Sequence, residues 1–202
     1  MKRCIVIGKT NVGKTLFTLQ FADYLGINSL EVAFEEPSGE RSVRTYDLKT
    51  AIKELSSSEP HQTRRLQSIR LELPVGKGVK RFDIIDTSGL MEGIHTDASV
   101  RRAMAQTLAA VRDADLILHL VDASRAGEAG VLRAVGEVDY QVAQFAQIRD
   151  GYLILANKVD LPGAERGLER IKMEFSGHPV VAISALNRQG FREVKRFVWR
   201  WI

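Results

Sequence analysis

The chain has 202 residues, 45% of them apolar and 27% charged, which supplies one packed core and is short for two. No run approaches the ~18 apolar residues of a membrane span, and MKRCIVIG enters strand-like sequence at once, so no integral membrane segment or cleavable leader is expected and a cytoplasmic, single-domain protein is. The net charge of +4 is uneven: residues 28–60 hold seven acids and four bases, whereas 61–81 hold Arg64, Arg65, Arg70, Lys77, Lys80 and Arg81 against Glu72.

That basic stretch suits RNA or an anionic membrane surface, and equally suits a solvated face beside a bound triphosphate. In chain order, RCIVI at 3–7 reads as a short apolar strand; it holds the lone cysteine, Cys4, which is expected to be buried and without a chemical role. A helical pattern follows at 14–25. Residues 27–60 read as an extended insert, with LKTAIKEL at 48–55 as a small helix and SSSEP at 56–60 as a loop. LQSIRLEL at 66–73 alternates, PVGKG at 74–78 turns, and RFDIID at 81–86 returns, which predicts an antiparallel hairpin. Further strands are predicted at 115–122, 152–157 and 179–183, with helices at 97–112, 128–149, 163–175 and 190–201. The alternation predicts an α/β fold: a mostly parallel six-stranded sheet with one antiparallel strand and helices on both faces. In the last helix Phe191, Val194, Phe197, Val198, Trp201 and Ile202 share one arc, Arg192, Arg196 and Arg200 lie opposite, and Trp199 falls off the apolar face.

Residues 8–15, GKTNVGKT, fit G-x-x-x-x-G-K-[ST] between a strand and a helix. In such a loop, backbone N–H groups and the helix N-terminus surround phosphates. The segment Gly8, Lys9, Thr10, Asn11, Val12, Gly13, Lys14, Thr15 and Leu16 is therefore the expected phosphate site, with Lys14 reaching the β and γ groups and Thr15 on Mg2+. NKVD at 157–160 closes a strand. The Asp160 carboxylate can accept from both N1–H and the exocyclic amine of guanine, donors that adenine lacks on that edge, which points to GTP and GDP. Asn157 would brace the loop, the Lys158 stem would cover the base plane, and Ser184, Ala185 and Leu186 of ISAL would close the other side. Asp86, ending RFDIID, is placed to hold magnesium through water. The Gly89 amide in DTSG can point at the γ-phosphate, so hydrolysis would release LMEGIHTDAS.

GKTNVGKT, DTSGL, ADLILHLVDAS, NKVD and ISAL, in this order and spacing, resemble the P-loop NTPase G domain of the Era, Der and MnmE group of translation-associated GTPases, with FeoB more distant. The resemblance spans the chain apart from about 27–60. It implies a switch I threonine that ligates magnesium and senses the γ-phosphate. Thr63 stands 23 residues before Asp86, as the family pattern requires, whereas Thr45 and Thr50 leave overly long connections. Lys14, Thr63 and Gly89 are then the residues acting on the transferred phosphate, with Thr15, Thr63 and Asp86 around Mg2+. Leu90 replaces the glutamine some relatives carry. The resemblance implies K+ held in part by Asn11 as a substitute, while a turn-forming asparagine is the plainer alternative. Glu92 and Asp97 match no motif. His61, His95, His119 and His178 are scattered, and His119, inside an apolar strand, is expected to be a satisfied core residue.

The expected activity is a GTP-hydrolysing switch with a ribosomal or RNA partner and, as an open question, a GTP-dependent homodimer. A GTP-occupied binding module that regulates a protein or membrane partner with little turnover competes with it. An ATP-using kinase or ATPase would make NKVD and ISAL coincidental.

Overall fold

The computed structural model describes residues 1–56, 66–75, 78–90, 97–128, 130, 135–146 and 150–202. The elements are β1 (Lys2–Gly8), α1 (Lys14–Tyr24), β2 (Ser29–Glu35), β3 (Arg41–Asp47), α2 (Leu48–Leu55), β4 (Leu66–Val75), β5 (Gly78–Asp86), α3 (Ala98–Arg112), β6 (Leu116–Asp122), α4 (Ala123–Ala126), α5 (Glu137–Ala146), β7 (Tyr152–Asn157), α6 (Ala164–Glu174), β8 (Val180–Ala182) and α7 (Phe191–Trp201). Among the described residues no helix is long and apolar enough to cross a membrane.

One sheet runs through the molecule in the order β3-β2-β4-β5-β1-β6-β7-β8. The five strands from β5 to β8 are parallel. β4 pairs antiparallel with β5, as the hairpin reading predicts. The sheet is nevertheless wider than six strands. Part of the 27–60 insert forms a second hairpin, in which β2 pairs antiparallel with both β4 and β3. Two strands, β3 and β4, therefore run against the rest.

The reason lies in the side chains. Leu30, Val32 and Phe34 alternate inward along β2 and are fully buried, each worth about 1.5–3 kcal/mol relative to exposure. β3 carries charged and hydroxyl residues on both faces and buries Tyr46, whose ring meets Phe34 edge-on at 6.4 Å. Asp47 then caps α2 by accepting from the Thr50 amide at 3.2 Å, and Leu48 and Ala51 pack inward. The small helix over 48–55 is as expected.

Burial on both faces gives each central strand a near-continuous apolar run. On one face Cys4, Val6, Leu118, Leu120 and Leu155 join α1, α2 and α7, centred on Phe17, Phe21 and Phe191. On the other Ile5, Ile7, Ile117, Val121 and Ile154 meet α3, α5 and α6. Burial pushes the Cys4 thiol well up, so it stays protonated. Phe191, Val194 and Val198 are buried as the angular reading places them, but Trp199 also packs against the first core, with Lys195 Nζ 5.8 Å from its ring. Within the predicted 128–149 helix, the described helical residues are Glu137–Ala146, preceded by the short turn α4 directly after β6.

Candidate functional site

Parallel strands bring their last residues together. Gly8 ends β1, Asp86 ends β5, Asp122 ends β6 and Asn157 ends β7; the registers set Val6 beside Asp86 and Asp122 beside Asn157. Clefts at the carboxyl ends of such strands are where α/β folds bind ligands.

The loop from Gly8 to Gly13 turns from β1 into α1. Gly13 has φ +95°, and a Cβ there would lie 2.6 Å from Asn157 Nδ2, so conformation and crowding both demand glycine. Asn157 answers the bracing expectation: its Nδ2 donates to the Val12 carbonyl at 2.7 Å and its Oδ1 accepts from the Ala185 amide at 2.9 Å. One buried amide thus joins the phosphate loop to the ISAL turn. Asn11 is exposed at φ +63°, a left-handed conformation that asparagine tolerates. The partly buried Leu16 side chain packs against the core on the α1 side.

Lys14 and Thr15 open α1. Thr15 Oγ1 donates to Asp86 Oδ2 at 2.6 Å, and Lys14 Nζ donates to the Lys9 carbonyl at 2.8 Å. Burial lowers the Lys14 pKa to about 8, with the Asp86 charge opposing the change. Burial likewise raises the Asp86 pKa to about 6, against the Thr15 hydrogen bond and the Lys14 charge. Asp86 Oδ1 is buried without a hydrogen-bond partner among the described residues. An unsatisfied carboxylate oxygen beside a helix-start hydroxyl is a donor set suited to a hard cation such as Mg2+.

The DTSG segment lies against the loop. Thr87 Oγ1 donates to the Val6 carbonyl at 2.9 Å, and the Leu90 amide donates to the Gly8 carbonyl at 3.0 Å. Gly89 sits so close to Thr10 that a Cβ would fall 2.6 Å from its Cα. Leu90 itself is buried. Thr63, His61 and most of LMEGIHTDAS lie outside the described residues.

At the other end of the cleft, Asp160 is exposed, Ser184 is buried with its Oγ accepting from the Asn187 amide at 3.1 Å, and Leu186 is exposed. Lys158 has φ +67° and its Nζ donates to Asp122 Oδ2 at 2.6 Å. Oδ1 of Asp122 accepts from Ser124 and Arg125 at the start of α4. Burial works to raise the Asp122 carboxyl, but the Lys158 and Ser124 hydrogen bonds hold it below the ordinary carboxylate value. Sequence reasoning assigned Asp122 nothing, although its place at a strand end, like Asp86 and Asn157, is a usable signal. His119 has both ring nitrogens hydrogen-bonded, as a satisfied core histidine should.

A family model described as 50S ribosome-binding GTPase matches residues 45–158, more than half of the chain. The chain is 29% identical over 154 residues to the GTPase Obg of Desulfitobacterium hafniense, covering 72% of the chain and 35% of Obg. It is 34% identical over 148 residues to the tRNA modification GTPase MnmE of Rhodopseudomonas palustris, covering 71% of the chain and 28% of MnmE. It thus spans about a third of the length of these relatives. A structure of Era in complex with MgGDPNP and nucleotides of 16S ribosomal RNA superposes with a TM-score of 0.66 at 20% identity, covering 99% of the chain and 56% of that structure, a likeness of fold. With the motif residues gathered at the strand ends and the family model matched, the chain belongs to the 50S ribosome-binding GTPase family and has the α/β fold of a P-loop GTPase.

Proposed function

We propose that this chain is a single G domain that binds GTP and GDP and hydrolyses GTP as a magnesium-dependent switch. The observation that carries the reading is the linkage of motifs across the cleft: Thr15 bonded to Asp86 at one end, and Asn157 tying the phosphate loop to Ala185 at the other. Amides of residues 8–15 and the α1 N-terminus receive the phosphates, Lys14 neutralises the β and γ groups, and Asp160 accepts from guanine while the Lys158 stem, with Ala185 and Leu186, flanks the base. Thr15, Asp86 and Thr63 hold Mg2+, which when bound offsets charge on the phosphate oxygens. Gly89, packed on Thr10, reports the γ-phosphate to the segment that follows.

Leu90 offers no group to orient water. K+ near Asn11 is the proposed substitute, supplying positive charge where the transition state gathers negative charge. The buried, apolar Leu90 also supports the second reading, a GTP-occupied module with little turnover. An RNA or ribosomal partner in the cytoplasm is supported by the family description, by the Era structure with 16S ribosomal RNA and by the basic 61–81 stretch. A GTP-dependent homodimer through the switch segments is a further proposal.

The test is competition for a fluorescent GDP analogue in magnesium buffer. GDP and GTP should displace it at least a hundredfold better than ADP and ATP. Equal displacement by adenine nucleotides would refute the reading.

A further inference from the structure

A chain of polar side chains leads from the phosphate loop into the core, and the mechanism above does not use it. Lys9, the second residue of the loop, places its Nζ 3.6 Å from Asp139 Oδ2 on α5. Asp139 Oδ2 also accepts from the Gly136 amide at 3.0 Å, and its Oδ1 lies 3.0 Å from His119 Nε2. A carboxylate oxygen at that position calls for an N–H on His119 Nε2, and Nδ1 lies 2.8 Å from the Tyr152 hydroxyl. Asp139, His119 and Tyr152 are all buried. Burial alone would raise the Asp139 carboxyl, but the hydrogen bond and charge of His119, then the Gly136 hydrogen bond and the Lys9 charge, bring it below its ordinary value. Every oxygen of Asp139 is therefore committed, and its position is fixed by β6, β7 and the start of α5.

Lys9 is a sensitive place to attach such an anchor. Its carbonyl receives Lys14 Nζ, its backbone bridges to Leu90, and the next residue, Thr10, is the one crowded by Gly89. We infer that Asp139 is a positioning residue for the nucleotide site: through Lys9 it fixes the start of the phosphate loop where that loop meets the DTSG segment, and so ties α5 to nucleotide occupancy. The inference rests on the GTP-binding reading.

The test is GDP release from the full chain in magnesium buffer. Lys9→Met and Asp139→Asn should each speed release about tenfold, within the usual range of couplings between contacting residues. The double variant should be no faster than the faster single, and Lys9→Arg, which keeps the charge, should release GDP more slowly than Lys9→Met. Parental release from Lys9→Met, or effects that multiply in the double variant, would overturn the inference, as would a change in Asp139→Asn confined to melting temperature. Amide exchange of residues 8–14 without nucleotide gives an independent arm. Exchange should rise in both single variants, and unchanged exchange in Lys9→Met would also overturn the inference. A parent that failed to bind GDP would count against the function proposal, while the exchange arm would still decide this one.

Discussion

The Thr15 hydroxyl and the Asp86 carboxylate are hydrogen-bonded at 2.6 Å in a buried pocket where the other Asp86 oxygen has no partner among the described residues. Burial raises the Asp86 pKa from its ordinary value of 3.8 to about 6. An acid with a raised folded pKa contributes its full stability below the unfolded value and loses it as pH rises through the folded one. Without nucleotide and magnesium, the protein should therefore lose on the order of 2–3 kcal/mol between about pH 4 and pH 6 from this group, at about 1.4 kcal/mol per unit. Asp86→Asn should melt higher than the parent at pH 7.5, with the gap closing toward pH 4, and should bind magnesium-GTP far more weakly. A lower melting temperature for Asp86→Asn at pH 7.5 would contradict the burial argument.

Asn157 makes two buried hydrogen bonds, one to the phosphate loop and one to the ISAL turn. Asn157→Ala orphans the Val12 carbonyl and the Ala185 amide, at roughly 1–3 kcal/mol for each buried group. Calorimetric titration should show GDP affinity falling about a hundredfold or more, with ADP binding no better than before. Parental GDP affinity would mean the bridge does not organise the site.

Asp160 is exposed, so replacing it disturbs little of the fold. Asp160→Ala should melt within about 0.5 kcal/mol of the parent yet lose preference for guanine over adenine by orders of magnitude. Retained selectivity in the competition assay would remove Asp160 from base recognition.

A methyl group at Gly89 would meet backbone atoms of Thr10 at 2.6–2.7 Å, a collision that no side-chain rotation relieves. Gly89→Ala should therefore push the DTSG segment off the phosphate loop. GDP binding should survive within a few-fold, while the difference in amide exchange of residues 87–90 between GDP and a non-hydrolysable GTP analogue should shrink. An undiminished difference would separate Gly89 from the switch.

The phosphate loop, the strand-end aspartate of RFDIID and the NKVD turn were legible because each is local: a few residues of fixed type follow an apolar strand. The hairpin of β2 and β3 was harder. Leu30, Val32 and Phe34 carry a period of two, but β3 exposes Arg41, Ser42, Val43, Arg44 and Thr45, so its pattern resembles a polar loop. Its assignment depends on pairing with β2, which no window of sequence contains. The same holds for the polar couplings. Lys158 with Asp122 and Lys9 with Asp139 join residues far apart in the chain that only the tertiary fold brings together. Asn11 illustrates a different limit, since a turn former and a cation ligand ask for the same residue at φ +63°.

The central claim is tested most directly by single-turnover hydrolysis of GTP by the isolated chain with magnesium, in potassium and then in sodium, beside Thr15→Ala. The account predicts stoichiometric GDP and phosphate, faster in potassium, with Thr15→Ala slowed at least a hundredfold. Absence of phosphate release in either salt, or an unchanged rate in Thr15→Ala, would contradict it.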